Sequence, residues 1–243
     1  MRIVVCVKHV PDMQSERRFE GGRLVRGEDD VLNELDENAI EAAVQLKEAE
    51  EDAGREAEVI ALTMGPEDAE DALMRALQMG ADRAFLVSDE FLEGSDVITT
   101  ASVLSVAIAK ISEECGPVDL VVTGMASLDA MTSMLPGALA AKAHMPLLGL
   151  ARTLSVADGA VTIERSVDGY TETLRAALPA VVSVTDQINE PRYPAFAAMK
   201  AARKKPLDQW GIDDLGEVPG GKDPVLRRAP PPGTLSGGDV RGG

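Results

Sequence analysis

The chain has 243 residues, a length that suits one large domain or one domain with an appended arm. Apolar residues make up 45% of it and aromatic residues only 3%, which argues against recognition by base stacking. The formal net charge of −17 repels phosphate backbones and anionic membranes, so composition also argues against nucleic-acid binding.

The chain opens on a strand-like segment. Arg2 to Val10 is a largely β-branched run, which is typical of a strand buried on both faces. Because Met1 leads almost directly into this run, we expect no signal peptide, and no apolar run is long enough to predict a membrane span. Cys6 and Cys115 are expected to be reduced thiols rather than a disulfide. We therefore expect a soluble, cytoplasmic protein.

Strands and helices then alternate. The polar segment from Glu16 to Asp30 indicates a hairpin or surface excursion. Four alternations of strand and helix predict a mostly parallel sheet with helices on both faces, which is a doubly wound, Rossmann-like α/β fold. The predicted elements are a helix over 36–51, a strand over 58–63, a helix over 69–77 ended by Gly80, a strand over 83–87, a helix capped by Asp96 and closed by Gly116, a strand over 119–123 and a helical segment over 135–143.

The pattern changes after Met145. Short runs between 152 and 177 are separated by Asp158-Gly159 and by Asp168-Gly169, and Asp-Gly pairs are strong hairpin signals. We expect an antiparallel extension of the sheet here. Another buried strand is predicted from Ala180 to Val184.

The last part of the chain differs in composition. Gly and Pro dominate from Pro219 onward, so this tail cannot bury enough apolar surface to order itself. We assign residues 1–205 to the α/β domain and 206–243 to a C-terminal arm with a disordered tail. Lys200 to Lys205 is a local basic stretch, either a helix end complemented by cations or a docking site for an acidic partner.

Ligand chemistry is expected at the carboxyl ends of the parallel strands. These ends are Cys6 to His9, Met64-Gly65, and Thr123 to Met134. The third combines a glycine, several hydroxyls and backbone N–H groups at a helix start, which can cradle a phosphate. An ordinary strand-to-helix turn is the alternative. Neither the dinucleotide fingerprint nor the P-loop motif occurs in the sequence.

Motifs for catalysis are missing from the sequence. His9 and His144 are its only histidines, and nothing pairs them for a triad or a metal site. His9 follows Lys8 at a strand end, where it could line a cofactor site. We expect no catalytic residue, no metal site and no enzymatic activity of the chain's own.

Five motifs in constant order resemble the β subunits of electron-transfer flavoproteins. They are Val5 to Asp12, which looks like V-x-V-K-x-V-P-D; the helix from Asn33 to Glu48; Gly65-Pro66 with Arg75 to Arg83; the set from Arg165 to Val182; and Asn189 to Tyr193 with Met199 to Lys205. One such motif would be weak, but five in order are a specific signal.

The resemblance implies a subunit without redox chemistry of its own. Such β subunits pair with a larger α subunit that carries the redox-active FAD. The heterodimer passes electrons from flavin dehydrogenases to a membrane quinone oxidoreductase or another acceptor. In most members the β subunit binds AMP, whereas electron-bifurcating members hold a second FAD there. Positions that match the family's nucleotide contacts are Cys6, Asn33, Glu34, Leu35, Asp36, Met64, Gly124, Met125, Ala126, Ser127, Leu128, Asp129, Thr132, Ser133, Met134 and Leu135.

The resemblance also implies a docking segment. Residues 193–199 are similar to the loop that docks partner dehydrogenases, with an apolar anchor beside a basic stretch. Met13 matches a position near the α-subunit flavin. The docking residues so implied are Tyr193, Pro194, Ala195, Phe196 and Met199, with Phe196 as the anchor.

The nucleotide loop departs from the family pattern G-x-Q-x-x-D-x-D-x-x-Q. Ala126, Met131 and Met134 replace polar residues, whereas Gly124 and Asp129 remain. The leading hypothesis is a subunit that holds AMP. Because the loop is altered, a subunit that holds a second FAD remains an alternative. A stand-alone universal-stress-like nucleotide module and an ATP-pyrophosphatase-like enzyme are further alternatives, but the loops typical of each are missing from the sequence.

Overall fold

Strands and helices alternate through residues 1–216, the part of the chain that the computed structural model describes. The strands of this part are β1 (Arg2–Cys6), β2 (His9–Pro11), β3 (Phe19–Glu20), β4 (Arg23–Leu24), β5 (Asp30–Leu32), β6 (Glu58–Met64), β7 (Arg83–Val87), β8 (Leu120–Gly124), β9 (Leu147–Ala151), β10 (Thr153–Ala157), β11 (Ala160–Val167), β12 (Tyr170–Ala177), β13 (Ala180–Val184) and β14 (Leu207–Trp210). The α-helices are α1 (Glu34–Asp52), α2 (Glu70–Met79), α3 (Val97–Cys115), α4 (Leu135–Ala143) and α5 (Phe196–Ala202).

Seven parallel strands form the central sheet, in the order β14-β7-β6-β1-β8-β13-β9. The first strand lies in the middle, and the chain builds outward through β6 and β7 before it crosses to β8 on the other side. Cys6 at the end of β1 is in register with Leu62 on one side and Thr123 on the other. This topology confirms the predicted doubly wound α/β fold.

Two apolar cores cover the two faces of the sheet. Val5 faces α1 and α2, whereas Val4 faces α3 and α4, because successive side chains of a strand point to opposite faces. Both valines are fully buried, as expected for a parallel sheet covered on both sides. Across residues 1–216 no helix combines the length and apolar character that crossing a membrane requires.

The antiparallel extension is confirmed as a three-stranded sheet, β10-β11-β12. Its two turns are the predicted Asp-Gly pairs. Asp158 and Gly159 have φ of 52° and 68°, and Asp168 and Gly169 have φ of 50° and 81°. Two consecutive positive φ angles are what a type I′ hairpin turn needs.

The first strand is shorter than the sequence predicts. β1 ends at Cys6, and His9–Pro11 leaves the central sheet to pair with β5 in an antiparallel ladder. The backbone N–H of Lys8 donates to the Asp36 carboxylate at 2.9 Å, not to a strand carbonyl. A side chain from α1 therefore ends the strand, and a local pattern cannot reveal that contact.

The strands β5, β9 and β14 have no counterpart in the sequence prediction, and α5 matches only the helix end that is one of two interpretations of Lys200 to Lys205. Leu207–Trp210 lies within the arm assigned from residue 206, yet it pairs with β7 at one edge of the central sheet. The start of that arm is thus part of the sheet. The Trp210 ring stacks on Phe85 with centroids 4.3 Å apart. The predicted disordered tail from Pro219 lies outside the described residues.

Candidate functional site

The chain reverses direction across the sheet between β1 and β8. In open α/β sheets, ligands bind in the crevice outside the carboxyl ends of the strands at such a switch point. Here the crevice is flanked by the first turn of α1 and by the loop 125–134 that joins β8 to α4. The nucleotide-contact positions implied by the resemblance converge on this edge of the sheet.

Asn33 fastens the loop to the start of α1. This residue precedes the helix, but its side chain does not cap it. Its Nδ2 donates to the Ala126 carbonyl at 3.0 Å, and its Oδ1 accepts from the Leu128 N–H at 3.0 Å. Asn33 is fully buried, so both bonds are shielded from water. The loop is therefore held by the protein itself.

Glycine at position 124 is required by the packing of the protein itself. A Cβ at this position would lie 2.5 Å from Asp36 Oδ1 and 2.7 Å from the Leu35 carbonyl oxygen. Such contacts are too short, so α1 can approach the end of β8 only because residue 124 is glycine. Glycine at position 124 therefore has a structural reason that is independent of any nucleotide.

The Asp36 carboxyl group lies buried between the ends of β1 and β8. Burial raises its pKa to about 7, and hydrogen bonds from the Asn33 side chain and from the backbone N–H groups of Lys8 and Gly124 offset this only in part. Burial and the neighbouring Asp36 carboxylate also raise the pKa of the Cys6 thiol to about 12. The thiol is thus protonated at neutral pH and is a poor nucleophile.

Asp129 is the centre of an ion cluster in the loop. Lys8 Nζ lies 2.9 and 3.0 Å from its two carboxylate oxygens, and the Arg26 guanidinium also donates to it. The Asp129 side chain is only 1% exposed. Burial acts to raise its pKa, but hydrogen bonds from Lys8 and Arg26 outweigh this and lower it to about 2. Two cations share one carboxylate, which leaves the cluster with net positive charge.

The start of α4 offers backbone donors to an anion. Met131 and Ser133 have φ of 50° and 52°, which is uncommon for residues other than glycine and often marks a functional site. Thr132, Ser133 and Met134 are exposed, and no acceptor within residues 1–216 takes their backbone N–H groups. Donors at a helix N-terminus beside a cationic cluster suit a phosphate. Hydroxyls of Ser127, Thr132 and Ser133 add further donors.

Two buried polar side chains in segments beside the crevice have no hydrogen-bond partner in the described part of the chain. His9 follows β1, and neither of its ring nitrogens is bonded. Thr63 lies in β6, next to Met64, and its hydroxyl is likewise without a partner. Buried polar groups are generally hydrogen-bonded in proteins. These segments therefore fit a polar ligand at the carboxyl edge.

The hairpin contributes cations to this site that were not predicted from the sequence. Arg26 reaches Asp129, and Arg17 Nη2 donates to the Leu128 carbonyl at 3.1 Å. Met13, implied to lie near a partner's flavin, is exposed at the start of the same excursion. Arginines in an otherwise acidic chain were the available signal. Only the fold shows that they reach a loop more than a hundred residues away.

The implied docking residues divide between surface and interior. Tyr193 and Phe196 are 85% and 80% exposed, and Ala195 is also exposed. Pro194 is buried and Met199 is half-buried, so these two support the segment rather than present it. Phe196 begins α5, which packs on α2.

Ion pairs fix the base of this segment. Arg192 Nε donates to Glu41 at 2.7 Å, and Arg192 Nη1 donates to Glu48 at 2.6 Å. Because both carboxylates belong to α1, these ion pairs tie the segment to that helix. The Arg75 guanidinium lies 5.6 Å from the centre of the Tyr193 ring. A groove of about 890 Å³ adjoins the segment, and half of its lining residues are acidic, among them Glu34, which the resemblance assigns to the nucleotide. An acidic groove is unsuited to an anionic nucleotide, so the crevice between β1 and β8 is the better candidate for one.

Comparison with known proteins gives one consistent family. The profile of the electron transfer flavoprotein domain matches residues 22–215. Electron transfer flavoprotein subunit beta of Mycobacterium leprae (strain TN) is 41% identical over 217 residues, which cover 88% of this chain and 80% of that protein. The subunit of the same name from Mycobacterium tuberculosis (strain ATCC 25618 / H37Rv) is 39% identical over 248 residues, covering 98% and 91%. Caffeyl-CoA reductase-Etf complex subunit CarD of Acetobacterium woodii is 34% identical over 222 residues, covering 90% and 81%.

Proposed function

Because this chain belongs to the family of electron transfer flavoprotein β subunits, we propose that it pairs with an α subunit that carries FAD. The heterodimer accepts electrons from flavin dehydrogenases and delivers them to a quinone oxidoreductase or another acceptor. The FAD supplies all redox chemistry in this scheme. The β chain supplies structure, a nucleotide site and a docking surface.

The bound nucleotide of this chain is AMP, in the crevice between β1 and β8. The observation that carries this proposal is the meeting of the free N–H groups at the start of α4 with the cationic cluster on Asp129. A monophosphate at that point would accept from Ser133 and Met134 and would neutralise the extra cation of Lys8 and Arg26.

AMP acts here as a structural ligand. The crevice joins the end of β1, the start of α1 and the loop before α4, so a ligand in it ties three elements together. A ligand that binds only the folded chain stabilises it by mass action. The Cys6 thiol is protonated at neutral pH and would not attack the nucleotide.

A second candidate is FAD in place of AMP. Met131 and Met134 are exposed beside the start of α4, where the family pattern has polar residues. Methionine side chains adapt to flat aromatic surfaces, so this rim suits a larger, more apolar ligand than AMP. The phosphate contacts would stay the same.

A nucleotide census tests both proposals. The chain is co-expressed with its α subunit, and the purified heterodimer is denatured and analysed for FAD and AMP by chromatography. We expect one FAD and one AMP per heterodimer. Two FAD without AMP would favour the second candidate, and one FAD alone would refute a nucleotide in this chain.

Paired variants test the location of the nucleotide. Lys8→Gln removes a cation from the Asp129 cluster and should reduce AMP content while FAD stays at one per heterodimer. Lys142→Gln, at the exposed C-terminal end of α4, removes the same charge away from the crevice and should leave AMP unchanged. Equal AMP content in both variants would argue against the crevice.

A further inference from the structure

Residues 13–29, here called the strap, cross the carboxyl edge of the sheet. Arg17 bonds the Leu128 carbonyl, in the loop after β8. Arg23 lies against Gly94, in the loop after β7, since a Cβ on that glycine would be 2.6 Å from its Nη1. Gly27 approaches Asp68, in the loop after β6, because its own Cβ would lie 3.7 Å from that carboxylate.

These contacts span four adjacent strands. The sheet order places β7, β6, β1 and β8 side by side, and β1 itself leads into the strap. With neighbouring strands about 4.8 Å apart, the strap covers roughly 14 Å of the edge. The crevice between β1 and β8 lies under this stretch, so a ligand there has the strap above it.

The strap is held by charge rather than by apolar burial. Every residue from 13 to 29 is exposed or half-buried, and Phe19 at its hairpin projects into solvent. Its strands pair only with each other, β3 with β4. Among the contacts that hold the strap, the ion pair of Arg26 with the buried Asp129 carboxylate is the best shielded from water. Breaking such a pair costs more free energy than breaking the exposed pair of Arg18 with Glu28. Arg18 and Glu28 both lie inside the strap.

We propose that the strap is a lid over the nucleotide crevice and that Arg26 is its latch. The latch closes on Asp129, the same residue that holds Lys8 beside the phosphate-binding end of α4. Opening the strap therefore breaks a charge-assisted bond at the floor of the site. The nucleotide enters and leaves only when that bond is broken, and Arg26 is a positioning residue that acts through Asp129.

This inference rests on the proposed function, since a lid needs a ligand to retain. It also explains how the chain keeps a nucleotide although three polar residues of the family pattern are replaced. The lost contacts at Ala126, Met131 and Met134 would weaken equilibrium binding. A closed strap slows release, so a nucleotide once bound stays in the crevice for longer even where its contacts are weaker.

The test measures the strap and the nucleotide in the intact heterodimer. Amide hydrogen exchange is followed in peptides that cover residues 13–29, and release of bound AMP is followed by chase with excess isotope-labelled AMP. Arg26→Gln should raise both rates on the order of tenfold, as expected for losing a hydrogen bond between charged groups. Arg26→Lys keeps a positive charge beside Asp129, so both rates should return most of the way to their wild-type values.

Arg18→Gln is the matched control, because Arg18 lies on the same hairpin but pairs within it. Its strap exchange and AMP release should equal those of the wild type. The latch is refuted if Arg26→Gln leaves strap exchange unchanged, if Arg18→Gln loosens the strap as much, or if Arg26→Lys fails to restore it. Faster strap exchange with unchanged AMP release would refute the lid. A wild-type heterodimer without nucleotide would refute the proposed AMP site, while the exchange comparison would still decide the latch.

Discussion

Asp36 and Asp129 are buried carboxyl groups that both contact Lys8, and they show how neighbouring groups determine whether a carboxyl group is ionised. Asp129 receives two cations, so its pKa falls to about 2 and it stays charged. Asp36 is also buried, and hydrogen bonds from the Asn33 side chain and from the backbone N–H groups of Lys8 and Gly124 do not outweigh that burial, so its pKa rises to about 7. Neutral donors compensate for lost hydration less than two bonded cations do. The two carboxyl groups therefore change stability in opposite directions as pH rises.

The pH dependence of stability follows from Asp36. Its pKa in the folded chain, about 7, lies above its ordinary value of 3.8, so the folded state binds this proton more tightly. This contribution to stability is complete below about pH 4 and is lost as pH rises through 7. From pH 5 to pH 8 the wild type should lose about 3 kcal/mol of unfolding free energy relative to Asp36→Asn.

Urea unfolding of the heterodimer at fixed protein concentration, at pH 5 and pH 8, measures this difference. Asp52→Asn, at the exposed end of α1, is the control and should keep the wild-type pH dependence. Identical pH dependence in the wild type and Asp36→Asn would contradict the high pKa.

Elements with a strong internal pattern could be predicted from the sequence. The helix α2 has apolar residues at helical spacing and ends at Gly80, whose φ of 132° suits that position. The Asp96 side chain accepts from the Thr99 N–H at 2.7 Å, as predicted for a helix cap. The missed elements are short: β5, β9 and β14 have three to five residues each, and their structure depends on what they pack against.

The candidate site could be predicted only in part. Strand ends and the loop after β8 follow from strand order, which the alternation of elements implies. The family resemblance added Asn33, and the structure shows what this side chain does. Arg17 and Arg26 could not be predicted, because a hairpin pattern does not indicate which loop the hairpin will cover. Tertiary contacts of surface segments leave no local signal.

The helix α5 begins with Phe196, an aromatic residue of the docking segment that is 80% exposed. Phe196→Ala should slow electron transfer from a partner dehydrogenase about tenfold, since an apolar anchor in a partner's pocket contributes more than 1 kcal/mol. Stopped-flow flavin reduction in the heterodimer measures the rate, and flavin content should stay normal. Phe91→Ala is the control, because Phe91 is 89% exposed in a different loop. Equal rates in both variants would remove Phe196 from docking.

The whole molecule carries far more negative than positive charge, with 41 acidic and 24 basic residues. Against this background, Lys8, Arg17 and Arg26 gather at one edge of the sheet. An anionic ligand is therefore repelled by most of the surface and attracted at the crevice. Such a distribution favours selective binding of a small anion and disfavours long polyanions.

Self-repulsion at this net charge should make stability depend on salt. The heterodimer's thermal midpoint should rise by a few degrees when KCl increases from 0.05 to 1 M, because screening relieves repulsion among exposed carboxylates. Differential scanning calorimetry measures the midpoint. A variant with Asp52 replaced by Asn and with Glu56 and Glu113 replaced by Gln, three exposed carboxylates outside the first turns of helices, should start higher and rise less. A midpoint that falls with salt in both proteins would contradict this view.

The edge position of β14 has a consequence for how the protein is made. The nascent chain emerges from the ribosome with β7 already synthesised, but its outer partner follows only after residue 206. Until then the backbone groups along one side of β7 are unpaired, which offers neighbouring nascent chains a template for intermolecular pairing. Premature termination within the preceding hundred residues would leave that edge permanently open. Completion of translation through Trp210 thus pairs β7 and leaves at this edge the four-residue β14, a short strand whose Asp208 disfavours pairing with another chain.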